Sequence, residues 1–501
     1  MSPIFNIPFE LLYQIILFID LPKDLLSFAL TCRSFRNIII PDFLKYCKTR
    51  CSFLGDETWS TLAERPILCE RVKFLETTFN PWPYLTTQVG PNGTYFQTSP
   101  EGAALQKMQN LISFRCNLTD PPSNLVKTIT TALKESGCML KELELNTSWR
   151  ASHDNTEEYN HSVISLFALN MSSISKVSIA SNSFRTRDAQ SLWRILSDSP
   201  NLTHLQLDVC QIGFIYENPN FIFLTHCHWP RLKHLTIKGF EIRESGNVTT
   251  YNSYLQIFLS RHIHLETFYV TSHLTFPVQL PRLQAIGYYP WSPEPEELGT
   301  IYSDRKRFLS VSIAQNLTHL FLFSFGPLFD IGETGGFPSL ETCVLPPIQV
   351  GRHPVHREWL AEFVSVAPRI KKMAITVSRF HHETISKVIN TLLPLRELTV
   401  LLGLFSSVES SDESKMKTLE LAYQHPTLSH VNIELKEENL RADRCVRLLP
   451  RGPLDPRPVF EVVPLNVLAP DDWRTKWGGF FRGLNEYSIL RFVTNSDTLE
   501  Q

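Results

Sequence analysis

A six-residue unit, Leu-x-x-Leu-x-Leu with apolar substitutions, recurs along most of this 501-residue chain and restricts its fold more tightly than any other feature. The clearest copy is Leu202, Leu205 and Leu207, followed by Cys210. Further copies begin at Leu111, Leu140, Ile174, Leu232, Leu265, Leu317, Leu340, Ile370, Leu395 and Leu428, with an irregular one at Leu283 and a weak first one at Val72. From Leu111 to Leu428 there are eleven steps over 317 residues, so the mean step is close to 29, and single steps run from 18 to 34. The last two apolar residues of each copy alternate with polar ones, which is strand spacing and places them on one face. Between the copies lie stretches with helical spacing, such as residues 188–196 and 359–366. A strand and a returning helix cannot bury their apolar faces alone, whereas a stack of such units can. The pattern therefore predicts an α/β array with parallel strands inside and helices outside. A doubly wound α/β enzyme remains the alternative, because it also alternates strands with helices.

The mean step falls at the long end of the range for leucine-rich repeats. Ahead of the array, residues 7–46 hold 24 apolar residues in 40, against 43% apolar over the whole chain. So short a segment cannot enclose that much apolar surface, and a large uncovered patch marks a partner site. Leu11, Ile15 and Ile19 share one helical face and Leu12 and Ile16 an adjacent one, an arc wide enough for two contacts. Pro8 suits a first helical turn and Glu10 the positive end of the helix. Pro22 restarts the chain, and Pro41 is expected to interrupt a third helical run.

The order Ile7-Pro8-x-Glu10-Leu11-Leu12, then Asp24-Leu25-Leu26-x-Phe28, then Cys32-Arg33-x-Phe35 resembles the F-box. With the repeats behind it, the chain resembles the F-box leucine-rich-repeat proteins numerous in fungi. That resemblance implies a three-helix F-box over residues 1–50, a curved leucine-rich-repeat solenoid of about a dozen irregular repeats over 51–435, and a capping segment over 436–501. It implies docking of a Skp-type adaptor and, through it, a cullin–RING ubiquitin ligase. The adaptor contacts it implies are Ile7, Pro8, Leu11, Leu12, Ile15, Leu25, Leu26, Phe28, Cys32 and Phe35. An unidentified target protein would lie on the concave face of the solenoid. An adaptor-binding protein outside ubiquitination stays open as an alternative.

The concave face should carry the polar positions of the repeat strands. His204, His234, His319 and His430 occupy the same place in their copies, just before the second anchor, with Gln206, Thr236, Tyr269, Phe321 and Phe323 nearby. Mixed aromatic and polar side chains suit protein recognition, and a histidine row could change charge near pH 6.5. A solvated polar position tolerant of histidine is the plainer reading.

Little points to chemistry. With 48 basic and 50 acidic residues and a net charge of −2, the chain has no basic block for nucleic acid or an anionic membrane. No apolar run approaches the roughly 20 residues of a spanning helix. The apolar run from Leu11 lacks the basic start and small-residue end of a signal peptide. Ten cysteines without paired spacing fit reduced thiols, and so a cytoplasmic or nuclear protein. Neither Cys47-x-x-x-Cys51 nor His226-Cys227-His228 brings a second pair at zinc spacing, so no metal is expected. Nucleophile-elbow, phosphate-loop and dinucleotide motifs are missing, and no catalytic residue or cofactor is expected. Proline-rich residues 290–297 and polar residues 406–414 are expected to form loops. A strand-like run over residues 459–463 and the aromatics Trp473, Trp477, Phe480 and Phe481 would close the last repeat.

Overall fold

The computed structural model describes residues 8–79, 99–148, 164–208, 226–288, 309–348, 354–402, 417–448 and 460–464, apart from short stretches within them. Ile7, the expected loops at 290–297 and 406–414, and the aromatic segment 473–481 lie outside the described residues. The chain forms two compact units, residues 1–231 and 232–501.

The first unit opens with a helical head. Leu11, Leu12, Ile15 and Ile16 are helical, and helices Pro22–Ala29 and Arg33–Ile39 follow. Cys32 begins the latter, its sulfur accepting the Phe35 N–H. The α-helix ends at Ile39, just ahead of Pro41, as expected. The chain passes into a wider π-helical turn, Ile40–Leu44, where a residue without an N–H is tolerated. Leu12, Ile16, Leu25, Ala29, Phe35, Ile39, Phe43 and Cys47 close a small core.

Six strands follow: β1 (Lys48–Ser52), β2 (Phe74–Phe79), β3 (Ser113–Thr119), β4 (Glu142–Ser148), β5 (Lys176–Ser181) and β6 (His204–Asp208). Each pairs in parallel with the next in chain order. Helices Ser123–Ser136 and Thr186–Ser197 return the chain between strands. In the second unit, β7 (His234–Lys238), β8 (Thr267–Val270), β9 (Ala285–Tyr288), β10 (His319–Leu322), β11 (Thr342–Ile348), β12 (Lys372–Val377), β13 (Glu397–Leu402) and β14 (His430–Glu437) are again parallel and sequential. This one-way order excludes the doubly wound alternative, whose strand order reverses part-way along the sheet. Helices Ser245–Arg261, Pro354–Val366 and His382–Thr391 alternate with these strands. The predicted helical stretches at 188–196 and 359–366 both lie inside helices.

The repeat anchors are the core. Leu111, Leu140, Ile174, Leu202, Leu232, Leu265, Leu283, Leu317, Leu340, Ile370 and Leu395 are all buried, as are the strand anchors after them, such as Leu205 with Leu207 and Leu398 with Val400. One backbone device recurs at the seams. The carbonyl just before a strand accepts two successive N–H groups from the next repeat: Lys141 O from Ser175 N (2.9 Å) and Lys176 N (3.0 Å), Lys371 O from Arg396 N (2.7 Å) and Glu397 N (3.0 Å). The step of 18 residues from Leu265 to Leu283 keeps the same device, with Glu266 O accepting from Gln284 N (2.8 Å) and Ala285 N (3.1 Å). That copy is short but in register, Phe268 opposite Ile286.

Two expected boundaries change. The cut at residue 50 falls inside β1, whose buried Thr49 and Cys51 fill the anchor positions without a leucine. The array does not stop at residue 435 either. β14 turns into β15 (Leu440–Leu448) and β16 (Phe460–Pro464), both antiparallel, so the sheet continues through the strand-like run expected near 459–463.

Candidate interaction surfaces

The head divides its apolar residues between two duties. Leu12, Leu25 and Phe35, expected at the adaptor interface, are buried in the head's own core, and half-buried Phe28 and Cys32 pack against it. The rings of Phe28 and Phe35 meet at a tilt, with centroids 4.5 Å apart. Leu11 (57% exposed), Ile15, Leu26 and Leu30 (68% exposed) are left to solvent, with Ile40 and Pro8 also exposed. Leu11 with Ile15 and Leu26 with Leu30 are i, i+4 pairs, so each pair lies along one helical face. Leu30 and Ile40 were missed from sequence. The four-residue spacing from Leu26 was the available signal for Leu30.

The head is fastened to the first repeats. Lys73, just before β2, is buried and its Nζ donates to Ile19 O at 2.7 Å. Arg71 lies 4.8 Å over the Phe43 ring, and Phe74 of β2 packs on the head core.

On the sheet face opposite the anchors, the two units differ in chemistry. In the first, the row between the two strand anchors reads Arg50, Glu76, Arg115, Glu144, Ser178, Gln206. Arg50 pairs with Glu76 at 3.3 Å and Arg115 with Glu144 at 3.4 Å, while Lys176 of the neighbouring row pairs with Glu142. Such exposed pairs contribute only about 0–1 kcal/mol each, but they leave this wall polar and solvated. The same row of the second unit reads Thr236, Tyr269, Gly287, Phe321, Val344, Ala374.

That second row corrects an expectation. Tyr269 and Phe321, expected to meet a target, are 1% and 0% exposed, and Thr236 and Gln206 are buried as well. These strands are therefore covered on both faces, and their central side chains serve packing.

The histidines behave as expected in register and differently in arrangement. His234, His319 and His430 do share a row of the second unit, but Thr267 and Ala285 stand between the first two. At roughly 4.8 Å per strand, His234 and His319 are about 14 Å apart, too far for direct coupling. His204, His234 and His319 are half-buried. The Nδ1 of His204 meets Thr203 Oγ1 at 2.8 Å, that of His234 meets Thr267 Oγ1 at 3.0 Å, and that of His319 meets Thr318 Oγ1 at 2.8 Å. Beside His319, a hydrogen bond from Lys371 holds the Glu341 carboxyl below its usual range, and the histidine adds to that effect.

Among the described residues, every thiol except that of half-buried Cys32 is a core group. Burial pushes Cys69 up to about 11 and Cys116 and Cys227 up to about 12, and Cys51, Cys138 and Cys343 are raised for the same reason. Protonated thiols are neither nucleophiles nor metal ligands. Among the described residues, no three His, Cys, Asp or Glu side chains gather as a ligand set. No described helix is long and apolar enough to cross a membrane.

No protein-family model matches the chain. No curated protein matches it either. Among solved structures, the leucine-rich-repeat-containing protein LegL7 from Legionella pneumophila is similar to it, at 11% identity over 76% of this chain and 100% of that one, with a TM-score of 0.31. TLR13 in its complex with ssRNA13 is similar at 12% identity over 66% of this chain and 46% of that one, with a TM-score of 0.27. The repeat architecture therefore rests on the chain's own strands and anchors, which form a leucine-rich-repeat array in each unit.

Proposed function

We propose that this protein is a target-holding subunit of a Skp–cullin–F-box type ubiquitin ligase. One observation carries the reading: the head closes its core with Leu12, Ile16, Leu25 and Phe35 and still exposes Leu11, Ile15, Leu26 and Leu30. Helices that have met their own need for burial keep two apolar pairs in water only at a cost, which a partner offsets. The F-box resemblance of the same residues supports a Skp-type adaptor as that partner. The repeats would hold a target protein and raise its concentration near a charged ubiquitin-conjugating enzyme, so the chain itself supplies no catalytic group. Target contact is assigned to the half-exposed His204, His234 and His319 of the strand rows. Tyr269 and Phe321 support the wall from within. Leu11→Ala with Leu26→Ala in the full chain should weaken adaptor binding at least a hundredfold at about 2 kcal/mol or more per interfacial leucine. A folded double variant with unchanged adaptor affinity would overturn the reading.

A further inference from the structure

The seam between β13 and β14 is closed by a histidine that has no spare valence. His425 Nε2 lies 3.2 Å from Leu392 O, and a carbonyl only accepts, so Nε2 carries the proton. On the other side of the ring, the N–H groups of Thr427 (3.3 Å) and Leu428 (3.1 Å) both point at Nδ1. Those groups only donate, so Nδ1 must be unprotonated. Thr427 adds Oγ1 bonds to Leu393 O (2.7 Å) and Leu395 O (2.9 Å). The turn leading into β14 is thus tied to the turn leading into β13, and Leu428 enters the core as the next anchor.

We propose that His425 is a proton-operated staple of this seam, closed while its imidazole is neutral and opened when Nδ1 takes a proton. Protonation would turn the acceptor into a donor facing two other donors, and the half-buried imidazolium would gain no counter-charge there. His425 is bonded only to backbone. The ionisable side chains on the elements around it are His382, Glu383 and Lys387 of helix His382–Thr391, Lys417 and Glu420 ahead of the turn, and Arg396, Glu397 and His430 on the strands. No ion pair joins any of the described ones to the ring, and Glu397 is paired with Lys372 at 3.2 Å. His382 on the same seam is different, because its partners are the hydroxyls of Thr418 (2.8 Å) and Ser386 (3.3 Å). Hydroxyls accept as well as donate, so His382 can be protonated without losing them.

Burial lowers the affinity of His425 for protons, although the carbonyl bonds act in the opposite direction. A group that binds protons less well when folded stabilises the closed seam fully above about pH 6.5 and loses that contribution as pH falls through its lowered value. The inference stands apart from the proposed function.

Hydrogen exchange of the full chain, read by mass spectrometry on peptides covering residues 424–437 and corrected for intrinsic exchange, tests it. Opening of this segment should rise between pH 7.5 and pH 5.5, by up to about tenfold, while β3 and β4 stay unchanged. The rise should vanish in His425→Gln, with the segment open at both pH values, and persist in His382→Gln. A flat profile in the wild type, a rise that survives in His425→Gln, or one lost in His382→Gln would overturn the proposal. If His425→Gln does not fold, the wild type and His382→Gln alone decide.

Discussion

Leu11 and Leu12 are adjacent, chemically identical and assigned to neighbouring faces of one helix, the first exposed and the second buried. Leu12→Ala should therefore cost about 2–5 kcal/mol of stability, the range for a truncated core leucine. Leu11→Ala should change stability by no more than about 0.5 kcal/mol, as for other surface changes, and act on adaptor binding instead. Denaturant melts of the two variants would separate the roles, and equal losses would mean that the exposed face is structural. Glycine gives a second contrast. Gly336 has φ +84, and an added Cβ would lie 3.1 Å from Val366 O and 3.2 Å from Val366 Cβ. Gly137 also has positive φ, but nothing lies within 4 Å of its missing Cβ. Gly137→Ala should cost about 1–2 kcal/mol, the left-handed penalty alone. Gly336→Ala should cost clearly more, because the backbone of Val366 must also move. Thermal melts showing equal costs would remove the steric part of that account.

At the scale of the element, Asp56 joins a strand to a helix. Its carboxylate accepts the Thr58 N–H at 2.9 Å, capping helix Glu57–Glu64, and the Ser52 N–H of β1 at 3.1 Å. Trp59 Nε1 donates to Ser52 O at 2.7 Å, so both backbone groups of Ser52 are satisfied at the end of the strand. Burial raises the Asp56 pKa, but the bonds from Thr58 and Ser52 outweigh it and hold the carboxyl below its ordinary value. A carboxylate with a lowered folded pKa stabilises above its unfolded value near 3.9 and loses that contribution as pH falls further. Asp56→Ala should destabilise the first unit by about 0.5–2 kcal/mol at neutral pH. The difference from wild type should hold from pH 7 to about pH 5 and shrink below about pH 4. Urea titrations across that range would check it, and a gap independent of pH would exclude the charged cap.

The two ends of the protein set the limits for any dissection of the whole molecule. The head shares Cys47 and Phe74 with the first strands, and β1 begins at Lys48. Removing residues 1–50 would delete most of β1, uncover the edge of β2 and expose Phe74. The expected result is aggregation in size-exclusion chromatography with light scattering, because a bare strand edge pairs with other chains. At the other end, removing residues 436–501 deletes β15 and β16 and leaves β14 as a bare sheet edge, so that truncation should also aggregate. Leu11→Ala with Leu26→Ala is the cleaner way to silence the head, since it leaves both ends covered. A monodisperse protein lacking residues 1–50 would show that the head is independent of the array.

Periodicity made the array legible. Anchors such as Leu205 and Leu207 or Leu398 and Val400 declare their strand by spacing alone, since a side chain's direction along a strand follows from local backbone geometry. The helical runs at 188–196 and 359–366 were readable for the same reason. β1 was not, because Thr49 and Cys51 reach the core without a leucine, held there by β2 and by the head. Nor did the pattern show that Tyr269 and Phe321 are buried on the face away from the anchors, or that Leu12 turns inward while Leu11 does not. His425 is one histidine among 16 in the sequence, and only the fold brings Leu392 O, 33 residues away, to its ring. An apolar residue in a sequence states a need for burial. Which neighbour meets that need, and which residues are left for a partner, is decided by contacts between segments far apart in the chain.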